Sequence, residues 1–316
     1  MNVHALRPGF GGAKEPIPFI DAHAHLWDLG GAIRYPWLSP PFRDDGPGGG
    51  IASIAHDYLL CDYLMDARRW NVKGLVHVDA AADPANALDE TRWLEGIAVE
   101  EGMPNAIVAF APLHDPHVES LLQAQAAHSH VRGIRNTVNW HPDPARSFVP
   151  RDLTQDDQWR RGFGLLGRYG LSFDLQCYPG QMPGLAPLIE RHPEIPVIID
   201  HLGMPVATDP DGFGQWRQGL KALAALPHVA IKLSGVGFIY RDWTTERIRP
   251  LLLEVIDLFG VQRCLFASDF PTDKLFASFD RHLEAYHEIV ADFSPHERHS
   301  LFSRNANRVY RLGIEL

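Results

Sequence analysis

Two histidines separated by a single residue, His23 and His25, stand near the end of an apolar stretch, residues 19–26 (FIDAHAHL). In an extended strand, residues two apart share a face, so both imidazoles can converge on one point. Imidazole nitrogen is a good ligand for zinc and similar divalent ions, and two from one rigid strand form half a site. Alone, such a pair also reads as two ordinary polar residues. Its weight comes from two later stretches, one ending in Asp200-His201 before Leu-Gly-Met-Pro, the other followed by Asp269 in Ser-Asp-Phe-Pro. A histidine and an acid at the mouths of two further strands would face the same cavity. That set suits metal-assisted or general-base hydrolysis.

Elements able to position these residues recur along the chain. Short apolar, β-branched runs at 19–26, 74–78, 107–111, 133–138, 171–177, 196–201, 229–234 and 264–268 read as strands. Between them lie amphipathic stretches such as 87–101, 118–128, 159–169, 213–226 and 246–259. Strands alternating with helices indicate βαβ units and a parallel sheet, and eight units suit a closed (β/α)8 TIM barrel. A doubly wound open sheet is the alternative, but no glycine-rich phosphate fingerprint follows the first strand. The expected organisation is an N-terminal extension, 1–18, and one α/β domain, 19–316, with an extra C-terminal helix over 295–312. Barrel active sites lie on the loops after the strands. The long Gly- and Pro-rich loop at 28–54 is therefore a lid, a pocket wall or a surface excursion.

Composition narrows the class of function. The 316 residues suffice for one large domain, and 45% hydrophobic with 22% charged residues is an ordinary globular balance. Net charge is −10 and no Lys/Arg cluster occurs, which argues against nucleic acid or an anionic membrane as partner. Cys61, Cys177 and Cys264 are scattered, a reduced pattern. With no apolar segment of signal-peptide type in the first 18 residues and no membrane-spanning run, the expected compartment is the cytoplasm and the expected partner a small-molecule substrate. Oligomeric state stays open, a homodimer included.

The ordered set DAHAH, DHLGMP, KLSG and SDFP, with a closing NANRVY, resembles the amidohydrolase 2 family of the amidohydrolase superfamily over about residues 19–310. It is most similar to the lactonase branch, which includes 2-pyrone-4,6-dicarboxylate hydrolase, L-fuconolactonase and L-rhamnonolactonase. The resemblance implies a TIM barrel that opens a cyclic ester. His23, His25 and His201 would surround the reacting carbonyl, and Asp269 would be the general base that activates water, with His201 the alternative acceptor. One divalent ion, zinc by preference, would be held by His23, His25, His201 and Asp269; members differ over whether any metal is needed, so a metal-free site stays open. Many metal-dependent relatives carry another histidine at the end of strand five, where this chain has Gln176. That absence also weighs against the main alternative, a metal-dependent non-oxidative decarboxylase.

Arg135 resembles a position that holds substrate oxyanions, and its planar fork suits a carboxylate; a salt bridge within the barrel wall is the other reading. Asn139, Gln176 and Tyr178 are expected to contact substrate, with Asn136, Trp140, His141 and Gln181 nearby. Lys232 could face the cavity or the helices. Glu90 reads as a solvated or capping residue, His192 and His282 as surface residues, and Asp21 and Asp200 as groups that orient their neighbours.

Overall fold

Strands that are apolar on both faces must be covered on both, which is the condition of a parallel sheet wrapped in helices. A computed structural model describes residues 16–42 and 49–316. Residues 1–15 of the expected N-terminal extension and 43–48 of the long loop lie outside the described residues. The strands are β1 (Phe19–Ala24), β2 (Val72–Val78), β3 (Ala106–Phe110) and β4 (Val131–Arg135), then β5 (Ser172–Leu175), β6 (Val197–Ile199), β7 (Val229–Leu233) and β8 (Cys264–Phe266). They hydrogen-bond in sequence order, each parallel to the next. A parallel bridge between Ala24 and Phe270 joins the last strand's extension to the first, reinforced by His25 N–H to Phe270 O at 2.7 Å and Asp269 N–H to His23 O at 2.8 Å. The chain is a TIM barrel.

Helices α1 (Leu60–Asp66), α2 (Ala87–Glu101), α3 (Val118–Ala126), α4 (Asp157–Leu165), α5 (Met182–Glu190) and α6 (Gly212–Ala224) cross between the strands. A short α7 (Val236–Ile239) precedes α8 (Thr245–Phe259), and α9 (Phe279–Ile289) follows β8. The expected C-terminal helix is three consecutive pieces: α10 (Pro295–His299), a π-turn over Ser300–Arg304, and α11 (Asn305–Val309). No helix among the described residues is long and apolar enough to cross a membrane.

Two apolar clusters divide the work. The larger fills the space between the sheet and its helices, with Phe173 packed edge to face against the stacked rings of Trp159 and Phe163. The smaller fills the barrel interior with Ile20, Val76, Val108, Ile198 and Leu265, and is closed from below by Ala306 and Tyr310. The C-terminal segment is the stopper of the barrel.

Above this apolar plug the interior turns polar. Lys232 on β7 points inward and is fully buried, which settles its direction. Its Nζ lies 2.5 Å from Asp174 Oδ2 on β5 and 2.9 Å from Asp200 Oδ1 just beyond β6. The Tyr310 hydroxyl donates to the same Asp174 oxygen at 2.8 Å. Burial raises the Asp174 carboxyl to about 6. Burial opposes the charge on Asp200 as well, but the Lys232 ammonium and the His23 ring outweigh it, and Asp200 is held well below the usual range. Removing one partner of a buried ion cluster strands the others without compensation, at a cost of about 3–5 kcal/mol. Lys232→Met should therefore lower unfolding free energy by about that amount, read from the denaturant midpoint. A loss below about 1 kcal/mol would show that the carboxylates are not held by the ammonium.

Candidate active site

Most of the groups singled out lie at or just past the ends of the observed strands, because the ladders stop earlier than the apolar runs. His25 is one residue beyond β1, Gln176 one beyond β5, His201 two beyond β6 and Asp269 three beyond β8. Backbone at these ends is released from strand geometry: His201, Leu202 and Asp269 have φ of +53°, +57° and +57°. Non-glycine residues rarely occupy this left-handed region, and such strain concentrates at functional sites. Gly235, at the end of KLSG, makes the His201 conformation possible. With φ +66°, it passes so close that a Cβ placed there would lie 2.6 Å from the His201 Cβ.

The structure brings His23, His25, His201 and Asp269 together. The His23 ring centroid lies 4.9 Å from that of His25 and 4.6 Å from that of His201. Asp269 Oδ1 is 3.2 Å from His25 Nε2 and 3.5 Å from His23 Nε2, and its Oδ2 is 3.9 Å from His201 Nδ1. All four are buried. His25, His201 and Asp269 line a cavity of about 410 Å³, within the range of small-molecule sites. His23 lies behind them, with Nδ1 3.3 Å from Asp200 and 3.0 Å from Lys232 Nζ. The buried column of charge thus ends on a site histidine.

Proton bookkeeping tests whether a cation fits. His25 Nδ1 is 2.7 Å from the Val78 carbonyl, which has no proton to give, so Nδ1 carries the hydrogen. Burial lowers the His25 pKa to about 3, so the ring is neutral and its Nε2 is a bare lone pair facing a carboxylate oxygen. Two acceptors at that separation need a proton or a cation between them. His23 Nε2 and Asp269 Oδ2 are also buried without a hydrogen-bond partner. His23, His25 and Asp269 each offer a ligand atom within 4.8 Å of the others, as do His23, Asp200 and His201. The donor set suits a divalent ion. Burial first, and then the neighbouring Asp273 and Asp200 carboxylates, push the Asp269 carboxyl up to about 8 against the pull of His201 and Arg135.

An amidohydrolase family model matches residues 20–312. The chain belongs to the amidohydrolase family. A Sinorhizobium fredii protein named uncharacterized protein y4mH is 41% identical over 94% of this chain and 99% of its own length. An L-fucono-1,5-lactonase of Burkholderia multivorans is 30% identical, over 93% of this chain and 96% of that protein. A crystal structure of a Burkholderia multivorans amidohydrolase with bound zinc superposes with a TM-score of 0.76 and 28% identity, covering 93% of this chain and 99% of that one. In keeping with that membership, this protein is a hydrolase.

Four substrate contacts were expected, and the amidohydrolase cavity takes up two. Arg135 and Gln176 line it, joined by Arg135 Nη1 to Gln176 Oε1 at 2.9 Å. Asn139 is fully buried below the surface with Nδ2 3.3 Å from Met204 Sδ. Tyr178 sends its hydroxyl to Arg146 O at 2.8 Å and lines a neighbouring cavity instead. Glu90 is not solvated: it is buried and accepts the Ala80 N–H at 3.2 Å. His282 is likewise buried, its Nε2 3.4 Å from Asp273. Asp21 faces outward and ties strand ends, accepting from Ser268 N–H at 2.9 Å and the Tyr63 hydroxyl at 3.0 Å. From the long loop, Trp37 and Ile51 contribute a cavity wall.

Asp79, one residue past β2, belongs to the site without a motif of its own in the sequence, although it obeys the same rule of an acid at a strand mouth that marks Asp269. His77 supplies its Nδ1 to the Leu26 N–H at 3.1 Å and fixes the turn after His25.

Ion binding has a proton signature here. With Asp269 near 8 and both His23 and His25 already neutral, binding a divalent ion at pH 7 should release about one proton, falling toward none by pH 10. Calorimetry in buffers of different ionisation enthalpy reads this. Proton release that ignores pH would remove Asp269 from the ligand set.

Proposed function

We propose that the protein hydrolyses a lactone, with Asp269 as the base. The observation that carries this reading is a buried carboxyl of raised proton affinity, in contact with two imidazoles and near a third, on the floor of a cavity large enough for one ring. The 30% identical relative named L-fucono-1,5-lactonase supports the choice of a cyclic ester. A general base works best with a pKa near the working pH, and burial has moved Asp269 into that range.

Water on the cavity floor donates its proton to Asp269 as its oxygen adds to the ester carbonyl. Negative charge then develops on the carbonyl oxygen, toward which the His201 ring can donate an N–H, while His25, whose Nε2 is a lone pair, would serve there as a ligand of a bound ion. The ring C–O bond breaks next, and Asp269 returns its proton to the departing alkoxide, leaving a hydroxy acid. His201 is oriented for this by the Ser234 hydroxyl, 3.1 Å from its Nδ1. A divalent ion held by His23, His25 and Asp269, zinc being our choice, would supply Lewis acidity to the carbonyl and lower the pKa of water. Asp200 and Lys232, 3.3 and 3.0 Å from His23 Nδ1, keep that ring oriented, and Gln176 with Arg135 contributes the polar side of the substrate pocket.

Asp269→Asn preserves size and removes the base. Turnover of a lactone should fall by about 10²–10⁴-fold, with KM changed far less, because the group acts in the transition state. Near-normal turnover in that variant, measured by acid release, would transfer the role of base to another group.

A further inference from the structure

Two buried acids follow β8, and the mechanism uses only the first. Asp273, four residues past Asp269, is fully buried in the 3-10 turn Thr272–Leu275. Thr272 and Leu275 of that turn line the cavity, so Asp273 stands directly behind its wall. Its backbone N–H donates to the Asp269 carbonyl oxygen at 2.9 Å, and its own carbonyl accepts from the N–H of Phe276 at 3.0 Å and of Ala277 at 3.1 Å. Burial raises the proton affinity of its carboxyl, against the pull of the His282 ring and of the Gly235 N–H. One residue thus reaches both the turn that carries Asp269 and the glycine packed against His201.

A partner for Asp273 comes from α9. His282 is fully buried as well, and its Nδ1 lies 3.0 Å from the Ser278 carbonyl oxygen, which can only accept, so Nδ1 carries the hydrogen. In the neutral ring Nε2 is then a lone pair, 3.4 Å from Asp273 Oδ2. One proton shared between these two acceptors ties the helix to the turn. The ring has little room to swing away. Trp243 packs against it at 4.9 Å between centroids, and Phe270, the residue after Asp269, at 5.8 Å.

Such a brace is what the strained turns require. Asp269 and His201 hold φ of +57° and +53°, a conformation that persists only where the surroundings over-determine it. The Asp269 backbone is gripped on both sides, its N–H by His23 O at 2.8 Å and its carbonyl by the Asp273 N–H. We infer that Asp273, braced by His282, is the positioning residue that holds the Asp269 and His201 turns in register with the imidazoles of β1. Neither Asp273 nor His282 lines the cavity, so both act through the groups that do. The kinetic consequence rests on the lactonase reading; the geometric one does not.

The test exploits side-chain length. Glutamine places its amide nitrogen where histidine has Nε2, whereas the asparagine amide stops at the level of Nδ1. His282→Asn should lower kcat for a lactone by about 10–100-fold, the usual cost of losing a group that orients a site, with KM changed less than about twofold. His282→Gln should recover most of that loss, which a residue that only fills space would not show. Asp273→Ala should cost as much, and adding His282→Asn to it should cost nothing further, because both break one chain of contacts. Crystal structures of the wild type and His282→Asn read the geometry without substrate: the Asp269 carboxylate, 3.2 Å from His25 Nε2, should draw away by about 1 Å or more in the variant. A folded His282→Asn with unchanged kcat, equal losses for asparagine and glutamine, losses at 273 and 282 that multiply, or an Asp269 turn unmoved in the crystal overturns the inference. If the wild type opens no lactone, the lactonase reading fails on its own and the crystal comparison decides. Should His282→Asn not fold, Asp273→Ala carries both comparisons. Asp273→Asn, which can still accept from Gly235 and donate to His282, then takes the place of His282→Gln.

Discussion

A single buried ammonium organises this molecule. Lys232 stands where three strands converge, and Asp174, Asp200 and His23 all reach it within 3.0 Å. No water is needed to account for its solvation, because carboxylates on two strands supply it. That arrangement fixes relative positions that apolar packing alone would leave loose: hydrophobic contacts resist separation but tolerate sliding, whereas a buried charge tolerates neither. The strands carrying these groups are short, three to six residues, so the polar column supplies register that long ladders would otherwise give.

The barrel was legible because its signal is repetition. Eight apolar runs alternating with amphipathic segments admit few topologies, and His23, His25, His201 and Asp269 announced themselves by falling at run ends. What sequence left dark was direction and pairing. The inward turn of Lys232 depends on β7 parity, which an apolar stretch on both faces does not encode. Arg135 could be a ligand fork or a wall contact until Asp79, 56 positions away in sequence, was seen to occupy it. Asn139 and Tyr178 followed promising strands yet are taken up by Met204 and by the Arg146 carbonyl, partners on distant loops that sequence spacing does not reveal. His282 and Glu90 sat on helical stretches and read as solvated; helix periodicity places a residue on a face but does not reveal when a loop covers that face.

Electrostatics and geometry at the mouth also depend on each other. Asp269 keeps its proton affinity because it is buried, and it is buried because the turn after β8 folds its backbone into the left-handed region and back against β1 through the Asp269 N–H to His23 O bond. His201 follows the same pattern on β6, relieved by the bare backbone of Gly235. Strained turns and shifted acidity are thus two faces of one construction, in which the protein spends folding energy to hold groups that water would otherwise relax.

Tyr310 gives the architecture a temporal dimension. Its ring stoppers the barrel from below while its hydroxyl donates to Asp174 Oδ2, so the lowest member of the charge column arrives from a segment made after all eight strands. During synthesis, β1 must wait for β8, and Lys232 must wait for Tyr310, before the interior is both sealed and neutralised. No N-terminal portion of the chain contains a finished catalytic floor. The barrel is therefore completed late: in a chain still emerging from the ribosome its interior stays open until the C-terminal segment has docked.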